Sequence, residues 1–484
     1  MSPLKILSLS AEVSPFAKTG GLGDVCGSLP KALRLLGHDV RVVLPAYQPI
    51  EQAAHSGRWN LKAMPGELHV PVGGAIMPAG VLQGALPGSD VPVYFIAERN
   101  LFDRPRIYGY NDDPYRFCFL SRAALDLIPA LDWFPDLIHA HDWHAAPAIF
   151  WLATAGQYDD RYRKLASLFT IHNLAHQGRS SWNLLSYLGV LTGSLREEGY
   201  GEINLMARGI YHATMINAVS PTYAREIMTY DGGNGLDGLL RFRHYDVHGI
   251  LNGIDHDQWN PATDSHIAVN FDVKHLDRRI ENKIALQERL GLPKRPDTPL
   301  VAMVSRLDKQ KGLDIVGHAV HLLLNNFAGD AQFVVLGTGG KAYEDMFSSL
   351  AQYHSGKMTA VLSYAADLAP LVYAGSDIFL MPSLFEPCGL SQLIAMRYGS
   401  VPVVRATGGL ADTVRDGVTG FSFYEFSSGD LWNALARALY IYHTDRESWR
   451  AVQQHGMLSD FSWENSALGY QQLYEWSIAR VRGF

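Results

Sequence analysis

The sequence predicts an α/β protein made of two doubly wound domains, and three observations lead to this prediction. The chain has 484 residues, more than one hydrophobic core usually organises, so we expect two domains of roughly 200 to 250 residues each. In both halves, apolar runs of strand length alternate with longer stretches of helical spacing. A glycine-containing turn or a polar loop follows these runs. Such alternation predicts parallel sheets covered by helices.

In the first half, strands are predicted at Ile6–Leu9, Val40–Leu44 and Leu137–His141. The stretch between the first two predicts a helix that ends before a glycine. Its apolar residues recur at three- and four-residue intervals: Leu22, Val25, Leu29, Leu33 and Leu36. Residues 66–97 interrupt the pattern with Gly, Pro and alternating Val, which predicts an antiparallel excursion.

In the second half, four strands are predicted, at Leu300–Val304, Phe333–Leu336, Ile378–Met381 and Val401–Val404. The polar, irregular stretch 252–275 predicts the boundary between the two halves. We therefore assign residues 1–255 to a first domain and residues 256–462 to a second. A cleft between two such domains is the first place to expect a site.

The last stretch of the chain, Trp463–Arg480, predicts an amphipathic helix. Such a helix needs a surface that its apolar residues cover. The residues expected to do so are Leu468, Leu473, Tyr474 and Trp476.

Composition narrows the class of protein. Hydrophobic residues make up 47% and charged residues 18% of the chain, as in a compact soluble enzyme. The net charge of −7 argues against nucleic acid and against an anionic membrane surface as partners. The cysteines, Cys26, Cys118 and Cys388, lie far apart and indicate neither a disulfide framework nor a zinc knuckle. The apolar run near the N-terminus is too short and too polar for a signal peptide, so we expect a cytoplasmic protein.

A glycine-rich turn, Lys18–Val25, directly follows the first predicted strand and opens the first helix. Gly20, Gly21 and Gly23 allow backbone N–H groups to approach an anion at the positive end of that helix, and Lys18 adds a charge. A tight turn without any ligand explains the glycines equally well. The spacing matches neither the dinucleotide fingerprint nor a Walker A loop, so no nicotinamide cofactor is implied.

The loop Ser305–Leu313 begins where the first strand of the second half ends, and open α/β sheets bind ligands at such ends. Arg306, Lys309 and Lys311 can neutralise a diphosphate there. A solvated charged loop is the alternative, and the position at a strand end favours function.

Glycines also follow the last two predicted strands. In Phe385–Gln392, Pro387 suits the entry to a helix and Gly389 leaves N–H groups accessible to phosphate, while Glu386 suits sugar hydroxyls. A simple acidic helix cap is the alternative for Glu386. The segment Thr407–Leu410 repeats this arrangement one strand later.

Two segments contain closely spaced histidines, three in His139–His144 and two in Thr170–Gly178. A metal hydrolase uses such side chains as ligands, but no acidic partner follows at the spacing of known zinc motifs. We therefore favour hydrogen-bonding roles around a sugar. The short pattern Asp255–Asp257 is similar to an Asp-x-Asp metal signature, yet it is so frequent by chance that it carries little weight.

Together these motifs resemble the bacterial glycogen synthase and plant starch synthase family. The resemblance covers nearly the whole chain and rests on five segments in order: Lys18–Asp24, His139–His144, Leu251–Asp255, Ser305–Leu307 and Glu386–Leu390. It implies two facing Rossmann-like domains of the GT-B fold, with residues 463–484 packing back on the first domain. It also implies transfer of glucose from ADP-glucose to the non-reducing 4-hydroxyl of an α-1,4-glucan with retention of configuration.

The resemblance also implies roles for individual residues. The donor-binding residues are Lys18, Gly20, Gly21, Tyr364, Cys388, Gly389, Leu390, Thr407 and Gly408, with Tyr364 packed on the adenine. The catalytic residues are Arg306, Lys311, Glu386, His172 and Asp142, the backbone carbonyl of His172 lying near the anomeric carbon. The residues for the sugar and the acceptor are Asn173, Asn252, His176 and Gln177. Arg179 departs from the family, whose members usually have an aromatic residue directly after Gln177 and Gly178.

These expectations describe a reaction that needs no metal and no cofactor, with ADP-glucose or ADP and an α-1,4-glucan as the partners. Another GT-B enzyme, a phosphorylase or a sucrose-type transferase, remains an alternative. A non-catalytic glucan-binding protein and a zinc hydrolase are others. The sequence leaves open whether the product is glycogen or starch, and how the protein assembles.

Overall fold

The computed structural model describes residues 3–190, 201–326 and 331–483. The chain divides into two compact units, one of Met1–Gly253 with Trp463–Phe484, the other of Ile254–Ser462. The chain first passes from one unit to the other after Gly253, two residues before the predicted boundary at residue 255. Among the residues described, no helix combines the length and the apolar character needed to cross a membrane.

The first unit is built on a sheet whose centre is parallel. Its strands are β1 Lys5–Leu9, β2 Asp39–Pro45, β3 Lys62–Ala63, β4 Leu68–Val72, β5 Ala75–Ala85, β6 Pro92–Ala97, β7 Leu137–His141, β8 Ala166–Ile171, β11 Met215–Ala218 and β12 Val247–Gly249. A separate antiparallel pair consists of β9 Arg179–Ser181 and β10 Glu202–Asn204. The three predicted strands of this half are confirmed as β1, β2 and β7.

The strand order in the large sheet is β12-β11-β8-β7-β1-β2-β6-β5-β3, with β4 beside β5. All pairs from β12 to β6 are parallel, whereas β5 pairs antiparallel with β3, β4 and β6. The antiparallel excursion predicted for residues 66–97 is thus confirmed. Because β7 lies between β1 and β8, the carboxyl ends of these three strands are neighbours.

Helices cover the sheet of the first unit. They are α1 Gly21–Leu35, α2 Gln48–His55, α3 Arg99–Phe102, α4 Asp113–Ala130, α5 Asp142–Ala153, α6 Asn183–Leu188, α7 Leu205–His212, α8 Pro221–Glu226, α9 Asp237–Phe242 and, from the end of the chain, α18 Trp463–Arg482. In α1 the predicted apolar residues up to Leu33 are buried. Leu36 is 37% exposed because the helix ends one residue before it and the chain turns at Gly37, whose φ is +93°.

The second unit contains a parallel sheet of order β15-β14-β13-β16-β17-β18. Its strands are β13 Leu300–Val304, β14 Gln332–Leu336, β15 Met358–Val361, β16 Ile378–Met381, β17 Val401–Arg405 and β18 Phe421–Phe423. Its helices are α10 Arg279–Arg289, α11 Val316–Asn326, α12 Lys341–Tyr353, α13 Ala369–Gly375, α14 Ser391–Arg397, α15 Gly408–Thr413, α16 Ser428–Thr444 and α17 Arg446–Leu458. The four predicted strands are confirmed, and the two edge strands β15 and β18 were not predicted.

The C-terminal helix α18 belongs to the first unit, as expected, but it buries a different face from the predicted one. Leu473 and Tyr474 are buried, while Leu468 is 55% and Trp476 43% exposed. The buried face also contains Trp463, Ala467 and Tyr470, which pack with residues of β1, β2 and α1. The prediction for Leu468 and Trp476 was wrong. Leu468 comes one residue after the buried Ala467 and Trp476 two residues after the buried Tyr474, and each residue along a helix turns the side chain by about 100°.

Candidate active site

In the first unit, the glycine turn after β1 is held by a buried carboxylate. Glu12 is 3% exposed and accepts hydrogen bonds from the backbone N–H groups of Thr19 (2.6 Å) and Gly20 (3.1 Å). It also accepts from the hydroxyls of Thr19 (2.7 Å) and Tyr108 (2.8 Å). The Gly20 N–H predicted to meet phosphate is therefore bound by the chain itself. The backbone N–H groups at the start of α1, from Gly21 onwards, are the ones that remain to bind an anion.

Lys18, the predicted cation of this turn, pairs with Asp24 at 2.6 Å. The side chains of Lys18 and Asp24 are 42% and 28% exposed, so water screens the pair. A phosphate that binds Lys18 has to compete with this carboxylate.

At the carboxyl ends of β7 and β8, Asp142 organises the backbone around His172. Its Oδ1 accepts the N–H of His172 at 2.7 Å and that of Asn173 at 3.4 Å. Asp142 has φ of +56°, a conformation that non-glycine residues adopt rarely and that often marks functional sites. Burial raises the pKa of the Asp142 carboxyl to about 7, although the two N–H groups lower it.

This pKa predicts how Asp142→Asn changes stability with pH. The native state keeps the Asp142 proton up to about pH 7, whereas the unfolded chain loses it near pH 4. The stabilising contribution is therefore present below about pH 4 and is lost as pH rises to about 7. We expect Asp142→Asn, which does not ionise, to gain in melting temperature relative to the wild type between about pH 5 and pH 8. A difference in melting temperature that stays constant with pH would contradict the raised pKa.

The histidines beside Asp142 are hydrogen-bonded to one another and to neighbouring hydroxyls. Nδ1 of His141 lies 3.0 Å from Nε2 of His172, and His139 contacts the hydroxyls of Thr170 (2.7 Å) and Tyr474 (2.9 Å). Burial lowers the pKa of His172 to about 3 and those of His139 and His141 well below the ordinary value, so all three rings are neutral near pH 7. Among the described residues, no group of three or more His, Cys, Asp and Glu side chains is arranged to hold a metal ion.

A cavity of about 500 Å³ opens in the first unit next to Trp143. Its lining consists of Trp143, Ala175, His176, Gln177, Gly178, Arg179 and Asn234. Gly178 has φ of +63°, and a Cβ there would lie 2.1 Å from the Trp143 ring, so glycine lets the loop pack on the indole. An aromatic ring beside amide groups is a suitable lining for a sugar.

Two of the predicted sugar residues have contrasting surroundings. The Gln177 amide donates to the carbonyls of Leu174 (3.2 Å) and Asn234 (3.0 Å), and its oxygen accepts from Asn204 (2.7 Å) and Arg179 (3.1 Å). A glucan contacts this amide only by displacing one of these bonds. In contrast, Oδ1 of Asn252 is buried and has no hydrogen-bond partner within the described part of the chain, which leaves an acceptor for a ligand.

In the second unit, the loop after β13 brings Lys311 against Glu386. Nζ of Lys311 lies 2.7 Å from Oε2 of Glu386, and their side chains are 17% and 7% exposed. The Ser383 hydroxyl donates to the same oxygen at 2.9 Å. Gly312 makes this approach feasible, because its φ is +70° and a Cβ there would lie 1.9 Å from the Pro382 carbonyl.

The other predicted residues of the second unit lie around this pair or apart from it. A Cβ on Gly408 would lie 1.9 Å from the Glu386 carbonyl, so the turn at Thr407 and Gly408 packs directly on that residue. Arg306 pairs with Asp308 at 3.0 Å and is 58% exposed. Tyr364, predicted to pack on the adenine, is 86% exposed.

The three other predicted donor residues of this unit lie in the segment that leads into α14. Cys388 is buried, at 2% exposure, and Gly389 has φ of +76°. Leu390 stands directly before α14. The structure thus brings Lys311, Glu386 and the turn at Gly408 together in one unit, and Asp142, His172 and Asn173 in the other.

Sequence reasoning missed Glu12, Tyr108, Ser383 and Asn234 as parts of these sites. Trp143 was not singled out either, although it lies within the segment His139–His144. An aromatic residue between histidines was a signal that could have indicated it. Nothing local marks Glu12, since its role depends on the chain returning to it at Thr19 and on Tyr108, far along the sequence.

Comparison with known proteins gives matches over nearly the whole chain. Residues 5–242 match the family described as starch synthase catalytic domain, and residues 287–451 match glycosyl transferases group 1. The chain is 43% identical to a glycogen synthase of Moorella thermoacetica over 99% of its length and 98% of that relative. It is 44% identical to one of Geotalea daltonii, with 99% of each chain covered.

Two solved structures have similar folds. The catalytic domain of starch synthase IV from Arabidopsis thaliana, bound to ADP and acarbose, superposes with a TM-score of 0.90 at 35% identity. That match covers 99% of this chain and 100% of the other. Sucrose-phosphate synthase from Thermosynechococcus elongatus, with a TM-score of 0.61 at 18% identity and the same coverage, shares the fold.

Proposed function

Because this chain belongs to the glycogen synthase and starch synthase family of glycosyltransferases, we propose that it moves glucose from ADP-glucose to the non-reducing 4-hydroxyl of an α-1,4-glucan with retention of configuration. The observation that supports this proposal most directly is the pair of Lys311 and Glu386. It sets a cation suited to a diphosphate beside a carboxylate suited to sugar hydroxyls, after two neighbouring strands. The relative bound to ADP and acarbose, 35% identical over the full length, supports the same assignment.

The proposed chemistry is stabilisation of the leaving group. As the bond between the anomeric carbon and the diphosphate breaks, negative charge grows on the phosphate oxygens. Arg306 and Lys311 stabilise that charge, and Glu386 orients the glucose. Preorganised charges of this kind accelerate a reaction because they interact more strongly with the transition state than with the substrate. No covalent nucleophile is required.

The same proposal gives roles to the other candidate residues. Lys18 and the start of α1 at Gly21 assist with the phosphates, and Tyr364 stacks on the adenine. The segment Cys388–Leu390 and the turn Thr407–Gly408 surround the donor sugar. The glucan end binds near Asn173, Asn252, His176 and Gln177, beside the cavity that Trp143 lines. We propose the reducing cytoplasm as the site of action, which suits three buried cysteines that form no disulfide.

The decisive assay measures incorporation of labelled glucose into glycogen, with ADP-glucose and UDP-glucose compared in parallel. Incorporation that is efficient with ADP-glucose and weak with UDP-glucose is the expected result. Incorporation from UDP-glucose alone would overturn the donor assignment. Release of glucose 1-phosphate that requires inorganic phosphate, together with the absorbance of bound pyridoxal phosphate, would instead indicate a phosphorylase.

The same assay tests the proposal that no metal takes part. Two cationic side chains perform the charge stabilisation that a divalent ion performs elsewhere, and Oδ1 of Asp255 already accepts the N–H groups of Asp257 (3.0 Å) and Gln258 (3.1 Å). We therefore expect the rate to be the same with and without excess EDTA. A loss of activity that manganese or magnesium restores would contradict this and would direct attention to Asp255 and Asp257.

A further inference from the structure

The rings of His141 and His172 are in direct contact in the first unit. The parallel strands β7 and β8 place His141 opposite Thr170, and the chain continues from Thr170 to His172. The two rings meet at 3.0 Å, Nδ1 of His141 to Nε2 of His172, and both residues are buried. The other ring nitrogen of His141 lies 3.4 Å from the Ser8 hydroxyl.

A hydrogen bond between two neutral imidazoles determines the tautomer of both. Burial lowers the pKa of His172 to about 3 and that of His141 well below its ordinary value. A neutral ring carries a single N–H, so one ring must donate and the other must accept. Whichever way the bond runs, Nδ1 of His172 then has a fixed state, as donor or as acceptor.

The neighbouring residue holds the same histidine by its backbone. Asp142 accepts the N–H of His172 at 2.7 Å and the N–H of Asn173 at 3.4 Å. Consecutive residues at the end of β7 therefore hold His172 at two points, His141 at the ring and Asp142 at the peptide. Two such contacts leave little freedom for the ring or for the carbonyl of His172.

We propose that His141 is a positioning residue that fixes the ring orientation and the tautomer of His172 for glucosyl transfer. This inference rests on the proposed function and on the expectation, drawn from the family resemblance, that the backbone carbonyl of His172 lies near the anomeric carbon. Preorganisation of this kind affects the turnover number more than the Michaelis constants, because it acts on the aligned complex. A histidine that only packs in the core would act through its volume, not through one nitrogen.

Two substitutions separate these roles. In His141→Asn the amide occupies about the position of Nδ1 and can donate or accept, whereas in His141→Gln it reaches the position of Nε2, towards Ser8. We expect His141→Asn to keep turnover within about threefold of the wild type, and His141→Gln to lose about tenfold, the effect of one hydrogen bond. The Michaelis constants for ADP-glucose and for glycogen should change by less than about twofold.

The ¹⁵N spectrum of the His172 ring gives a readout that does not depend on activity. In the wild type and in His141→Asn we expect one protonated and one unprotonated nitrogen. In His141→Gln both signals should move towards the average of the two tautomers. His172→Gln, which lacks these signals, assigns them.

Tyr474→Phe is the matched control, because it removes a buried hydroxyl that contacts His139 at 2.9 Å in the same cluster but leaves the contact to His172. It should lower the melting temperature and leave turnover and the His172 signals unchanged. Equal losses in both His141 variants at equal melting temperature would overturn the proposal, and so would full turnover in His141→Gln. If the wild type transfers no glucose from either nucleotide sugar, the proposed function fails, and the ¹⁵N signals still decide whether His141 positions His172.

Discussion

Replacing Lys311 with alanine is expected to lower turnover roughly 10²- to 10³-fold, the loss typical of removing one preorganised group that stabilises developing charge. The ammonium group is only partly exposed, so water replaces it poorly when charge develops on the diphosphate. Lys311→Ala also removes a hydrogen-bond donor from the buried Glu386 carboxylate. Within the described residues, the Ser383 hydroxyl then remains as its side-chain donor. Steady-state kinetics with ADP-glucose and glycogen measure the effect, and the Michaelis constant for the donor should change far less than turnover.

Controls distinguish the proposed role of Lys311 from a loss of structure. Lys294→Ala removes the same charge from an exposed pair with Glu288 on the same unit and should leave turnover unchanged. Lys311→Arg keeps the charge and should recover part of the rate. Arg306→Ala should fall in a similar range, and the double variant should lose less than the product of the single losses, because both groups are proposed to act on one diphosphate. A variant at Lys311 with full turnover and a raised Michaelis constant would make this loop a binding element only.

The second large effect is expected for Glu386→Gln. The carboxylate is proposed to hold the glucose, and a hydrogen bond to a charged group is worth roughly 1.5 to 3 kcal/mol, so turnover should fall at least about tenfold. ADP affinity should be unchanged or slightly tighter, because removing the negative charge 2.7 Å from Lys311 leaves that cation freer to attract phosphate. Calorimetric titration with ADP alongside kinetics separates the two quantities.

Two outcomes for Glu386→Gln would count against the assignment. ADP affinity that weakens as much as turnover falls would place the carboxylate at the nucleotide and not at the sugar. A melting temperature far below that of the wild type would show that the pair with Lys311 mainly supports the fold. Glu386→Gln combined with Lys311→Ala then reports the coupling between the two side chains, which we expect to be strongly non-additive.

Strands β1, β2 and β7 of the first sheet and the four inner strands of the second could be predicted because a parallel strand covered on both faces is a largely apolar run. The inner strands β8 and β11 of the first sheet were not predicted. The runs Leu137–His141 and Leu300–Val304 are strands with those bounds. The edge strands β15 and β18 were missed, since each is short and one side of an edge strand has no neighbour to impose a pattern. The buried face of α18 was also assigned partly wrongly, because Leu468 and Trp476 are apolar without being buried.

The sequence pointed to individual candidate residues but not to the contacts between them. Lys311 and Glu386 each follow a predicted strand, and both were singled out from sequence. Their pairing was not, because 75 residues separate them and they meet only where β13 and β16 are neighbours in the sheet. Glu12 was overlooked for a similar reason, since three of its four donors approach it only where the chain turns back at Thr19 and Gly20, and the fourth, the Tyr108 hydroxyl, is 96 residues away.

The alternating α/β architecture, the turns that contain glycine and the loops that carry cations can all be predicted from the amino-acid sequence, because they depend on apolar periodicity and on local backbone freedom. Which groups meet is seen only in the folded chain: Glu12 with the N–H of Gly20, Lys18 with Asp24, His141 with His172 and Lys311 with Glu386. Hydrogen bonds and buried ion pairs act over about 3 to 4 Å. Strand order and loop geometry set distances on that scale, and no pattern in the chain encodes them residue by residue.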